Sequence, residues 1–150
     1  MIVLANDHAG LDLKKEIAGL LDDMNLPYID LGVNSRESVG YPPLAWKAAG
    51  TVRSGECDRG MLFCGTGVGM CLAANKVRGI RCVVCTDCYT AKLSRLHNDT
   101  NMLALGGRVV GPDLAKMIVR IWLETPFEGG RHAKRVDMIM GIEEGREPGV

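Results

Sequence analysis

Gly60-Met61-Leu62-Phe63-Cys64-Gly65-Thr66-Gly67-Val68-Gly69-Met70-Cys71-Leu72-Ala73-Ala74-Asn75-Lys76 carries an unbroken apolar run into a glycine-rich turn and then into a helix-favouring stretch. A short apolar run without polar alternation suits a strand covered on both faces. The segment therefore reads as a buried strand feeding directly into a helix. The same signature recurs at residues 2–5, 28–31, 81–85 and 101–105. Between these runs, Leu13, Ile17, Leu20, Leu21 and Met24 fall on one helical stripe, as do Leu44, Ala45, Ala48, Ala49 and Val52. Tyr89, Leu93 and Leu96 make another, and Leu114, Ile118, Ile121 and Trp122 a fourth. Strands alternating with helices over short connections predict an α/β fold: a parallel sheet, right-handed crossovers and helices on both faces. After Pro126, a last helix is expected with Val136, Ile139, Met140 and Glu143 at helical spacing. No strand follows it, so it either covers its own sheet or reaches a partner subunit.

Composition narrows the function. At 150 residues, 47% hydrophobic and 24% charged, the chain suits a single domain over 1–150 with a sizeable core. Eighteen Lys and Arg balance eighteen Asp and Glu, which leaves no global positive field for nucleic acid or an anionic membrane. No apolar run approaches a membrane span, and the opening residues 1–7 lack the pattern of a secretory leader. A cytoplasmic protein acting on a small molecule is expected, with its six cysteines reduced.

In open parallel sheets ligands bind beyond the carboxyl ends of the strands, so the residues just after each run matter most. Asn6-Asp7-His8-Ala9-Gly10 sets a carboxylate beside an imidazole at the first such junction. An isolated Asp there reads first as a helix cap; the adjacent His8 strengthens a functional reading. In the second loop, Gly65, Gly67 and Gly69 let backbone amides approach an anion or a developing oxyanion. Met70 stands where a dinucleotide fingerprint needs glycine and where a cysteine phosphatase loop needs arginine, and no Gly-Lys-Ser/Thr closes a Walker motif. Oriented amides stabilise a thiolate, so Cys64 is either a base or nucleophile, or a small buried hydrophobe ending its strand.

His97-Asn98-Asp99-Thr100-Asn101 precedes the last strand. Taken alone this is a helix end and turn. It lies at the opposite sheet edge from residues that follow a strand, and a five-residue strand spans ~17 Å. If His97 and Cys64 serve one site, the natural arrangement is a subunit interface. Arg131 and Arg135 share a helix face and suit a single phosphate group, with Arg108 as a third contributor; a solvated helix face is the plainer reading. Cys82, Cys85 and Cys88 have C-x-x-C spacing, yet strand geometry sends Cys82 and Cys85 to opposite faces, against a metal knuckle.

The order Asn6-Asp7-His8-Ala9-Gly10, Gly40-Tyr41-Pro42, Cys64 to Gly69, Ala73-Ala74-Asn75-Lys76, Arg81-Cys82-Val83-Val84-Cys85, Ser94 to Asn101 and Glu128-Gly129-Gly130-Arg131-His132 closely resembles the ribose-5-phosphate isomerase B family over essentially the whole chain. That family also contains galactose-6-phosphate and allose-6-phosphate isomerases. The resemblance implies a Rossmann-like three-layer α/β/α sandwich with a five-stranded sheet, a homodimer or dimer of dimers, and no metal or organic cofactor. It implies aldose–ketose isomerisation of D-ribose 5-phosphate and D-ribulose 5-phosphate. By resemblance Cys64 is the base that moves a proton from C2 to C1 through a cis-enediolate, with Thr66 in reach and the loop amides, Val68 included, steadying the oxyanion. His97 helps open the furanose ring, Asp7 and Asn98 contact substrate oxygens, and Tyr41 lines the pocket. His8, Arg108, Arg131 and Arg135 match phosphate-binding positions, with the site shared between subunits. Gly40 stands where an acidic residue is expected and Cys71 where serine is usual. The rival readings are isomerisation of a six-carbon sugar phosphate, and a non-catalytic sugar-phosphate-binding module.

Overall fold

The computed structural model describes residues 1–149. Its strands are β1 (Ile2–Asn6), β2 (Tyr28–Asp30), β3 (Arg59–Cys64), β4 (Cys82–Val84) and β5 (Met102–Gly106). The helices are α1 (Leu11–Asp23), α2 (Tyr41–Ser54), α3 (Val68–Ala74), α4 (Cys88–Asn98), α5 (Pro112–Glu124) and α6 (Arg131–Glu143). All strand pairs are parallel, in the order β2-β1-β3-β5-β4. Every residue of β1 and β5 is buried, which is why their sequences run apolar without alternation.

Two cores flank the sheet. On one face Leu4, Met61, Phe63, Leu103 and Leu105 meet α1 and α5, with Trp122 fully buried. On the other, Val3, Ala5, Leu62, Met102 and Ala104 meet the alanine face of α2 and the Met70, Cys71 and Ala74 side of α3. Small residues on α2 let it lie close to both β1 and α3. Cys82 sits with the second core and Cys85 with the first, on opposite faces of the sheet, and all six cysteines are free. Among the described residues no helix is long and apolar enough to cross a membrane.

Helix α4 departs from expectation. The stripe Tyr89, Leu93, Leu96 does not form its buried face: Tyr89 is 72% exposed, and Ala91, Ser94 and Arg95 turn inward instead. A polar network offsets the burial. Arg95 Nη1 donates to Asp99 Oδ1 at 2.7 Å and to the Thr100 carbonyl at 2.6 Å, and its guanidinium lies over the Trp122 ring. Trp122 Nε1 in turn donates to Thr100 Oγ1 at 2.9 Å. Leu114, at 39% exposure, likewise sits outside the buried face of α5. The last helix, α6, packs against α4 of its own chain. Glu143 near its end accepts from the Gly79 amide and from Arg78.

Candidate active site

Because β2 lies on one side of β1 and β3 on the other, the strand order reverses between β1 and β3. A crevice opens beyond their carboxyl ends at such a point, and the loops after these strands are the Asp7 and Cys64 loops.

Asp7 is 6% exposed. Its Oδ1 accepts from the amides of Ala9 and Gly10 at 2.9 and 3.1 Å, so it does cap the turn at His8–Gly10. Among the described residues Oδ2 has no protein donor and stays available to a ligand hydroxyl. Next to it, the Val39 amide donates to His8 Nδ1 at 3.3 Å, which leaves the ring proton on Nε2 as an outward donor. The 31–40 loop that supplies Val39 is itself pinned. Asn6 Nδ2 donates to the Val33 carbonyl at 3.0 Å, and the buried Lys14 ammonium reaches Asp30 at 2.6 Å, Asn34 at 3.0 Å and the Val33 carbonyl at 3.2 Å. Asn6 and Lys14 support the site through partners that lie across the fold, which no local pattern in the sequence marks.

Cys64 ends β3 and is 4% exposed. The Gly67 amide donates to its Sγ at 3.1 Å. Gly67 adopts φ +81° there, a left-handed conformation that a side chain would strain. Thr66 is exposed, and its Oγ1 accepts from the Val68 amide at 3.3 Å. The loop after β5 runs alongside: Gly107 donates to the Cys64 carbonyl at 2.8 Å and Arg108 to the Gly65 carbonyl at 3.0 Å. The Arg108 side chain lies over Gly65 and the Tyr41 ring over Gly69; a methyl group on Gly69 would stand 2.6 Å from Tyr41 Cζ. Asp7, His8, Tyr41, Cys64 to Gly69 and Arg108 therefore gather at one edge of the sheet.

The remaining predicted residues gather elsewhere. His97 lies in the last turn of α4, ahead of β5, and the Glu128 amide donates to the Leu96 carbonyl at 3.0 Å, tying the 126–130 loop to that turn. The imidazoles of His97 and His132 stack with centroids 4.1 Å apart and planes 7° from parallel. Glu128 Oε2 lies 3.8 Å from Nε2 of each. Arg131 Nε donates to His132 Nε2 at 3.4 Å, and Arg135 is exposed one turn further on. Burial, and then the positive charges of His97, Arg131 and Arg135, hold the His132 imidazolium below its ordinary range, with Glu128 opposing. Asn98 is exposed, and its carbonyl accepts from Arg81 Nε at 3.0 Å. Arg81 also donates to the Asp99 carbonyl at 2.7 Å, holding the end of α4 in place. The Glu128 and His132 contacts with His97 were not legible in the sequence; nothing in their spacing announces them. No hydrogen bond or ion pair among the described residues joins this group to the Cys64 group.

A parallel α/β sheet whose switch-point crevice holds a buried thiol under a loop amide, with a histidine and an arginine alongside, defines a small-molecule enzyme rather than a structural module. The match to known proteins gives the kind. A family model described as Ribose/Galactose Isomerase covers residues 2–139. The chain is 52% identical over 145 residues to ribose-5-phosphate isomerase B of Escherichia coli, covering 97% of each. It is 42% identical over 139 residues to D-erythrulose-4-phosphate isomerase of Pectobacterium atrosepticum, covering 92% of this chain and 91% of that protein. The solved ribose-5-phosphate isomerase B of Clostridium thermocellum superposes with a TM-score of 0.95 at 54% identity, covering 96% of this chain and 97% of that one. This chain belongs to the ribose/galactose isomerase family.

Proposed function

We propose that this protein interconverts D-ribose 5-phosphate and D-ribulose 5-phosphate, in the non-oxidative branch of the pentose phosphate pathway and in the cytoplasm. The observation that carries the reading is the Cys64 sulfur, buried at the switch-point crevice with the Gly67 amide on it. As the thiolate, Cys64 takes the proton from C2 of the open-chain aldose and returns it to C1. The negative charge that appears on the enediolate oxygen meets the amides of Gly65 and Gly69 and the Thr66 hydroxyl, while the Gly67 amide stays on the Cys64 sulfur. Asp7 Oδ2 takes a substrate hydroxyl. His8 Nε2 and Arg108 hold the phosphate, and binding at that remote group keeps the reacting carbons in register.

His97 and Asn98, with Arg131 and Arg135, come from a second copy of the chain in a homodimer or a dimer of dimers. There His97 acts as the acid that opens the furanose ring. The opposite-edge placement of the two groups supports this, as does the exposed apolar surface of α2 and α3 beside the crevice, where Trp46 and Leu72 are 67% and 61% exposed.

Turnover of ribose 5-phosphate in the presence of a chelator tests the proposal, with allose 6-phosphate and erythrulose 4-phosphate in parallel because relatives in this family differ in carbon number. Conversion of the five-carbon sugar, lost in Cys64→Ala with retained binding of the sugar phosphate, is expected. Binding of sugar phosphates without conversion of any would favour a non-catalytic module instead.

A further inference from the structure

We propose that Asp99 is a positioning residue for ring opening: its carboxylate fixes the end of α4, and with it the places of His97 and Asn98. The kinetic consequence rests on the function proposed above; the placement of His97 does not. Asp99 follows α4 directly and adopts φ +46° and ψ +47°, a left-handed conformation that few side chains other than Asn and Asp visit. Its amide donates to the Arg95 carbonyl at 3.2 Å and closes the helix. Glycine or asparagine would serve as well for that turn. The carboxylate does something more, because its two oxygens hold two guanidiniums from different parts of the chain. Arg95 Nη1 lies 2.7 Å from Oδ1 and Arg81 Nη2 lies 3.2 Å from Oδ2. These arginines are 7% and 17% exposed, so water does little to screen their mutual repulsion and the carboxylate between them is what offsets it.

The same two arginines bind three successive carbonyls. Arg81 donates to those of Asn98 and Asp99 at 3.0 and 2.7 Å, and Arg95 to that of Thr100 at 2.6 Å. Arg81 is in turn anchored at the entry to β4, where its amide donates to Asn101 Oδ1 at 2.8 Å. Asp99 thus joins both donors of the frame that holds the backbone from 98 to 100. His97 depends on that frame. Among the described residues no hydrogen bond holds its imidazole, whose place is set by the stack on His132, 4.1 Å between centroids, and by the backbone that carries it. Without the Asp99 charge the two guanidiniums move apart, the carbonyls follow them, and the end of α4 shifts.

The test compares the two directions of the reaction. Ribose 5-phosphate arrives as a furanose that must be opened. Ribulose 5-phosphate has its C5 oxygen esterified and cannot close such a ring, so its conversion begins with proton transfer at Cys64. Asp99→Asn keeps the shape of the side chain and the left-handed turn but removes the charge; Asp99→Gly keeps only the turn. Both variants should lose about 100-fold in turnover of ribose 5-phosphate, the cost of an acid about an ångström out of place. Both should consume saturating ribulose 5-phosphate at close to the wild-type rate. Equal losses in the two directions, or no loss in either, overturn the proposal. Asp99→Asn, the milder change, decides the matter where Asp99→Gly does not fold. Proton nuclear magnetic resonance gives a readout independent of turnover. In the wild type the stacked His132 ring moves the His97 ring protons upfield, and Asp99→Asn should return them toward the positions of a free histidine. Unchanged His97 shifts overturn the positioning role even if turnover falls. If the wild type isomerises neither sugar, the function proposed above fails, and the shifts still decide whether Asp99 places His97.

Discussion

Gly10 stands at the junction of the Asp7 loop with the strand that carries Cys64, and replacing it by alanine probes how tightly the two are joined. The added methyl would lie 2.2 Å from the Phe63 carbonyl oxygen, 2.3 Å from its carbon and 2.7 Å from Phe63 Cβ. Ordinary contact begins at 3.4 Å, so the loop must retreat from β3 by about 1.2 Å. That retreat pulls on the hydrogen bond from the Asp7 amide to the same Phe63 carbonyl, 3.1 Å long in the native fold. Overpacking costs about 1–3 kcal/mol and a lost backbone hydrogen bond about 1 kcal/mol, which together predict a loss of roughly 2–4 kcal/mol. Misplacing Asp7 and Phe63 by an ångström should also lower turnover about 100-fold. Gly69→Ala is the matched control. Its methyl meets the far end of the Tyr41 ring, 38% exposed and free to turn away, and alanine favours the α3 helix by about 0.5–1 kcal/mol. Urea unfolding followed by circular dichroism should place Gly69→Ala within about 1 kcal/mol of the wild type. If Gly10→Ala unfolds within that same margin, or if Gly69→Ala loses as much as Gly10→Ala, the reasoning about these contacts is wrong.

Lys14→Met removes a buried ammonium that holds three acceptors. Because Asp30 is 31% exposed and can rehydrate, the expected cost is about 1–3 kcal/mol in the same denaturation assay. Alkylation with peptide mapping should leave Cys85 unmodified, since burial, with Asp87 and Cys71 adding, pushes its thiol up to about 12. Cys82, raised by its hydrogen bond with Cys71 and then by burial, should resist as well, while ribose 5-phosphate protects Cys64. Equal labelling of Cys85 and Cys64 would contradict this. His132 has the opposite sign of a paired histidine. Above its ordinary value neither state carries the proton, but as pH falls below it the unfolded chain takes up a proton that the native state refuses, so stability declines. His132→Gln should flatten the fall in urea midpoint between about pH 7.5 and about pH 5.5; an unchanged slope would refute it.

The strands were legible because parallel strands buried on both faces print as unbroken apolar runs, and each of the five runs matches a strand to within a residue or two at its ends. The inward face of α4 was not, since Arg95 and Ser94 are buried only by virtue of Asp99, Thr100 and Trp122, which the fold brings to them. The Cys64 side of the candidate site could be read because a parallel sheet carries the residue after every strand to one edge. Its supports could not. Val39 on His8, Lys14 on the 31–40 loop and Glu128 beside His97 all join residues far apart in the chain. No local pattern encodes such pairs.

The proposed working site draws Cys64 from one chain and His97 from another. Cys64→Ala and His97→Ala proteins, each inactive alone, can be unfolded together and refolded as a mixture. Random pairing makes half the dimers mixed, each with one unaltered site of two, so about one quarter of wild-type turnover of ribose 5-phosphate should return. A mixture that stays as inactive as its two components would contradict the claim.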